Sequence, residues 1–134
     1  PLLDRFDLRV EVQRPRPDDL FGSEPGEASA VVAERVRQAR ELARARGVRS
    51  NAELPAGRLD DLAPLDDAAT RLLLGALRSG RLSARGLHRV RRVVRTVADL
   101  AGHPGALGAD HVALALSLRV DLAGATPHHE SVAG

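Results

Sequence analysis

Apolar residues recur along this chain with two different periods, and the change of period marks its organisation. Residues 7–13 alternate strictly, with Leu8, Val10 and Val12 on one side and Arg9, Glu11 and Gln13 on the other. A period of two is that of a half-buried β-strand. From residue 28 onward the period becomes helical. Residues 28–46 place Val32, Val36, Ala39 and Ala43 on one side, and residues 67–79 do the same with Ala69, Leu72, Leu73, Ala76 and Leu77. Residues 83–101 carry Leu87, Val90, Val94, Val97 and Ala101 at spacings of 3, 4, 3 and 4, one stripe along a helix of period 3.6. A last helix is expected over 110–120, with Val112, Ala113, Leu116 and Val120 inward.

Local punctuation agrees with these elements. Ser29, Asp66 or Asp67, Ser83 and Asp110 are placed as N-caps, whose side-chain oxygens accept from otherwise unpaired backbone N–H groups. Gly47, Gly80 and Gly102 stand where helices stop. Residues 14–25 hold three prolines and a glycine and read as an extended, stiff linker; residues 51–62 are rich in turns. The expected fold is therefore mainly α, a four-helix bundle preceded by one orphan β-strand and a proline-rich linker. Its divisions are 1–13 (strand segment), 14–25 (linker), 26–120 (helical domain) and 121–134 (tail without periodicity). A single strand cannot satisfy its own backbone groups. With an initial proline in place of methionine, this leads us to expect a portion of a larger α/β protein whose sheet lies outside the chain.

Composition narrows the picture a little. The chain has 134 residues, no cysteine and a net charge of +2, which leaves no disulfide and no thiolate metal site. All twenty basic side chains are arginine, a bias that also accompanies GC-rich coding. Two phenylalanines are the only aromatics, which disfavours binding of single strands by stacking. No apolar run approaches the length of a bilayer span and no signal-peptide core is present, so a cytoplasmic location with no membrane partner is expected. The five histidines lack HxxxH or HExxH spacing, and no metal site is expected.

The candidate chemistry lies in the arginines of residues 83–101. Arg85, Arg89 and Arg92 fall at i, i+4 and i+7, off the apolar stripe, and such a face suits an anion, the more so near a helix N-terminus. Arg91, Arg92 and Arg95 read as a solvated basic face. Without lysine there is no GxxxxGK[ST] loop, and no acidic pair follows a hydrophobic strand. The chain alone is not expected to bind or hydrolyse ATP.

Three stretches resemble one family. PLLDRFDLRVEV at the start is similar to the end of the nucleotide-binding core of AAA+ ATPases of the helix-2-insert group. Residues 26–46 with Asn51-Ala52-Glu53-Leu54 resemble the lid entry of magnesium-chelatase-like ATPases. LSARGLHRVRRVVRTVADLAG, residues 82–102, is similar to the lid helix of the YifB/competence protein ComM family. The resemblance covers residues 1 to about 119 and implies a lid-type bundle from a ring-forming AAA+ ATPase. In that case Arg5 matches the arginine finger, which reaches the γ-phosphate held by a neighbouring subunit. Arg85 matches the sensor-2 arginine on ATP phosphate, with Arg89 a turn further along. The resemblance also implies ATP and Mg²⁺ in the full-length protein, with neither bound by this portion alone. It further implies a homo-oligomeric ring, expected to be a hexamer, and DNA as the remodelled partner through helicase or branch-migration activity. The alternative from the residues themselves is a free-standing helix-turn-helix-like DNA-binding module, with residues 67–79, Gly80-Arg81-Leu82 and the arginine-rich helix as its parts.

Overall fold

The computed structural model describes residues 5–22 and 25–119. Its helices, in chain order, are α1 (Pro17–Leu20), α2 (Ser29–Ala45), α3 (Leu59–Leu62), α4 (Asp67–Arg78), α5 (Ala84–Leu100) and α6 (Ala109–Ser117). Two 3₁₀ turns, Asn51–Glu53 and Ala56–Arg58, lie between α2 and α3. The four longer helices coincide with the four the periodicity predicts. The expected tail, residues 121–134, and Val120 lie outside the described residues, as do residues 1–4.

Helix ends follow local chemistry. Asp66 caps α4 by accepting from the Ala69 N–H at 2.7 Å, and Ser83 caps α5 by accepting from the Gly86 N–H at 3.0 Å. Gly80 and Gly102 take φ of 72° and 68° after α4 and α5, the left-handed conformation in which a helix terminates most cheaply at glycine. Two expected caps are different. Ala28, not Ser29, is the N-cap of α2 and offers no side-chain oxygen. Helix α6 starts one residue earlier than expected, from Gly108, whose N–H donates to His111 Nδ1 at 3.1 Å. The side chain of Asp110 is not the cap.

The strand expected over residues 7–13 is absent. Those residues form no ladder, and Val10 and Val12 are 68% and 87% exposed. Alternation alone makes no strand, because the backbone groups need a neighbour to pair with. Among the described residues there is no sheet, only an isolated bridge between Leu65 and Leu107. It is closed by Leu107 N–H to Pro64 O at 2.7 Å and Asp66 N–H to Leu107 O at 3.0 Å, and it ties the α3–α4 and α5–α6 connections together. The linker over 14–25 contains the single exposed turn α1.

Helix α5 is the axis of the packing. It lies against α6, α2, α4 and the turn Asn51–Glu53, while α4 and α6 also pack on each other. The core is Leu54, Leu59, Leu73, Leu82, Val90, Val94, Ala98, Leu107 and Val112, closed by Ala63, Ala69, Ala76 and Ala115. Helix α2 is attached chiefly to α5 and buries only Ala39 and Ala43. Val32 and Val36, on the same stripe, stay exposed, so the arrangement differs from a bundle in which four helices share one core equally. The start of α5 packs tightly on the turn before it: a Cβ at Gly86 would lie 2.9 Å from Leu82 Cδ1.

The buried face of α5 is not wholly apolar. Beside Val90, Val94 and Ala98 it buries Arg95 and Asp99, which are 2% and 3% exposed. A carboxylate in the last turn of a helix faces the negative end of the macrodipole, and a buried one needs several donors. Asp99 has them: Arg95 Nε at 3.1 Å, Asn51 Nδ2 at 2.7 Å and the Arg46 guanidinium. Asn51 also donates to Thr96 Oγ1 at 3.1 Å. Burial pushes the Arg95 guanidinium below the ordinary arginine value, and the charge of Asp99 works against that shift. Arg95 in turn donates to the carbonyls of Gly105 (3.1 Å) and His103, fixing the α5–α6 corner.

Replacing Asp99 by alanine leaves two guanidiniums and an amide without their acceptor. The expected loss is about 3–5 kcal/mol of stability, read as a lower urea midpoint at unchanged slope. On the exposed side of α2, Arg37 makes a two-pronged contact with Glu34 at 2.6 and 2.8 Å, and Gln38 adds a third hydrogen bond at 2.8 Å. These hold the Glu34 carboxyl down from 4.5 to about 2. A depressed folded value means the pairing contributes fully above pH about 4.5 and is lost as pH falls through about 2. Glu34→Gln should therefore reduce the helical circular-dichroism signal slightly above that window, and the difference from the parent should vanish below it.

Candidate functional site

The arginines of α5 divide into two groups. Arg91, Arg92 and Arg95 are not a solvated face. Arg91 Nη1 pairs with Asp60 Oδ1 at 2.7 Å, and its Nη2 donates to Leu59 O at 2.8 Å and Ala63 O at 3.0 Å. It thereby takes up carbonyls at α3, a helix too short to satisfy its own ends. Arg92 Nε donates to Leu54 O at 2.9 Å, and Arg95 is buried as described above. Each guanidinium carries several fixed donors and meets carbonyls of the irregular segment 51–63 or of the corner 103–105.

Two signals in the sequence point to this group. Arg95 and Asp99 stand four apart with the cation first, the weaker order for an exposed helical pair. They also border Val94 and Ala98 on the apolar stripe, so an exposed pair is not the economical reading. Asn51 and Leu54, within the NAEL stretch, are the partners of Asp99 and Arg92. The motif is legible; that its residues clamp α5 is not.

The other group lies in the first two turns of α5. Arg85 is exposed and forms no ion pair with a carboxylate among the described residues. It is the second residue of the helix, next to the Ser83 cap, where free N–H groups and the positive end of the dipole favour an anion. Arg89 is partly buried and its Nη1 lies 3.4 Å from Asp7 Oδ1. Arg5 is exposed. The residues after it lie on the helical body: Arg9 N–H donates to Leu118 O at 2.7 Å and Arg119 Nη1 to Phe6 O at 3.3 Å. A cavity of about 380 Å³ lies between this segment and α5, lined by Asp7, Leu8, Ala52, Arg89, Arg92, Val93 and Thr96. The structure thus brings the segment following Arg5 against the helix that carries Arg85 and Arg89, residues far apart in sequence.

Among the described residues no group of three or more histidine, aspartate or glutamate side chains is arranged to hold a metal ion. Nor is any helix long and apolar enough to cross a membrane. His103 and His111 face each other with ring centroids 5.0 Å apart, but their nitrogens are used at the corner, by Ala106 O and the Gly108 N–H respectively.

The structure is a helical domain packed around one arginine-bearing helix. Residues 26–119 match the family model described as magnesium chelatase, subunit ChlI C-terminal, and the chain belongs to that family. Within it the chain is ComM/YifB-like. It is 44% identical over 123 residues to an uncharacterised protein of Mycobacterium tuberculosis, covering 89% of this chain and 24% of that protein. Competence protein ComM of Haemophilus influenzae is 38% identical over 120 residues, covering 89% and 23%. Uncharacterized protein YifB of Escherichia coli is 39% identical over 101 residues, covering 75% and 20%. The chain spans about a quarter of the length of these relatives or less. It corresponds to the lid region of magnesium-chelatase-like proteins.

The two groups of arginines should separate in stability measurements. Arg95→Ala is expected to cost about 3–5 kcal/mol by removing one of the two guanidiniums that meet the buried Asp99, and Arg91→Ala about 1–3 kcal/mol by breaking its hydrogen bonds to Leu59 O and Ala63 O. Arg85→Ala should remain within about 0.5 kcal/mol of the parent. Chemical denaturation of the three variants checks the division.

Proposed function

We propose that this chain is the lid of a ring-forming, magnesium-chelatase-like AAA+ ATPase that couples ATP hydrolysis to DNA remodelling, by helicase or branch-migration activity. The observation that carries the reading is the state of Arg85. In a family of this kind, it is the arginine at the start of α5 that structural contacts leave exposed, beside a capped helix N-terminus. ATP and Mg²⁺ would be held by residues outside this chain, since it has no lysine for a phosphate loop. Arg85 would contact the phosphates as sensor 2. Arg89, already paired with Asp7, is the weaker candidate for that contact.

Arg5 would act in trans as the arginine finger. In the transition state of phosphoryl transfer, charge spreads over the phosphoryl oxygens, and a guanidinium meets it with aligned donors. Residues 1–13 would close the ATPase core, with the alternating segment 7–13 completing its sheet. Residues 14–25 would be the linker that joins the core segment to the four-helix lid, and the working assembly would be a hexameric ring in the cytoplasm. The named relative that supports a DNA role is a competence protein.

Steady-state ATPase kinetics of the full-length protein test the assignment. Arg5→Ala should leave ATP binding intact and reduce kcat by about 10³-fold or more. Arg85→Ala should weaken ATP affinity or uncouple it from hydrolysis. Parental kinetics in both variants would remove the reading. Tight, steeply salt-dependent binding of duplex DNA by the 134-residue chain alone would instead favour a free-standing helix-turn-helix-like module.

A further inference from the structure

The segment Phe6–Arg9 joins no sheet among the described residues, yet it is not loose on the surface. Three contacts hold its four residues, and all go to the end of the body where α5 begins and α6 finishes. Leu118 is the C-cap of α6, and its carbonyl is among those a helix leaves unsatisfied; the Arg9 N–H occupies it at 2.7 Å. Arg119 reaches back to Phe6 O at 3.3 Å. Its other nitrogen, Nη2, passes close to α5 at Gly86, where an added Cβ would sit 3.6 Å from it. Between these two backbone contacts the Asp7 carboxylate meets Arg89 at 3.4 Å. Leu8 then lines the same cavity as Val93 and Thr96 of α5.

We propose that Asp7 is a positioning residue that, through Arg89, clamps the segment following Arg5 onto the first turns of α5, so that Arg5 and Arg85 belong to one moving body. The backbone contacts at Phe6 and Arg9 fix where the segment lies, and the ion pair fixes its register along the helix. Any rotation of α5 that changes the reach of Arg85 then displaces Arg5 as well. A signal at the phosphate sensor of one subunit would thus reach the arginine offered to its neighbour without passing through the linker at 14–25. The catalytic consequence rests on the proposed roles of Arg5 and Arg85; the clamp itself does not.

Amide hydrogen exchange of the 134-residue chain, followed residue by residue by NMR, tests the clamp. In Asp7→Asn the Arg9 amide should exchange about two- to fivefold faster, the range of a partly exposed ion pair, while Val94 and Ala98 in the core of α5 stay unchanged. Combining Asp7→Arg with Arg89→Asp should restore the slow exchange of Arg9. An unchanged Arg9 amide in Asp7→Asn overturns the clamp. So does failure of the exchanged pair to restore it, or equal acceleration at Val94 and Ala98. The link to Arg5 has a separate readout in the full-length ATPase: Asp7→Asn should lower kcat in the parent and have no further effect in an Arg5→Ala background. A further loss in that background overturns the link. Parental turnover in Arg5→Ala itself counts against the finger assignment and leaves the exchange result standing.

Discussion

A carboxylate buried in the last turn of a helix is the constraint on which this fold depends. Asp99 sits at the wrong end of the α5 dipole and out of water, so it can be ionised only among donors. Those donors come from three places: Arg46 just after α2, Asn51 in the 3₁₀ turn, and Arg95 on α5 itself. Satisfying one side chain therefore attaches α2 and the turn-rich segment to the central helix. Arg95 extends the same network to the carbonyls of the α5–α6 corner. The core is built largely of alanine, valine and leucine, and each such contact buries little area. A directional polar network then decides where α2 sits, because its apolar attachment is only Ala39 and Ala43.

The same demand divides the arginines of α5. Three of the five serve as internal ligands for carbonyls and carboxylates, and they do so because the segments around α5 are irregular and cannot satisfy their own backbones. What is left for chemistry is the N-terminal end of the helix, where Arg85 is exposed and Arg89 faces Asp7. One helix thus carries both the internal arginine ligands and an exposed arginine, the two separated along its length. The C-terminal half is held by Arg91, Arg92, Arg95 and Asp99, which makes it a support for the two turns that carry the exposed Arg85.

Much of this was legible from residues. The four longer helices follow from apolar spacing, and the ends of α4 and α5 from Asp66, Gly80, Ser83 and Gly102, because a cap acts within three or four residues of itself. The family was legible in the LLDRF, NAEL and LSARGLHRVRRVV stretches. Other features were not. Alternation over residues 7–13 predicts a strand, but a strand is a pairing and the described residues carry no partner for it. Arg91, Arg92 and Arg95 read as a solvated face, since a charged side chain on a helix is usually solvated and nothing local reveals the distant groups they meet. The α6 cap went to Gly108 with His111 behind it because the bridge at Leu107 sets the entry angle.

By itself the sequence determined the helices, their ends and the kinship of the chain, all of which depend on interactions within a few residues or on patterns preserved in order. Only the tertiary structure decided which arginines are drawn into internal contacts and that Arg85 stays exposed, and that Asp7 lies against Arg89. Those outcomes turn on groups from different elements meeting in a low-dielectric interior or at a shared helix end, and no local pattern encodes such a meeting.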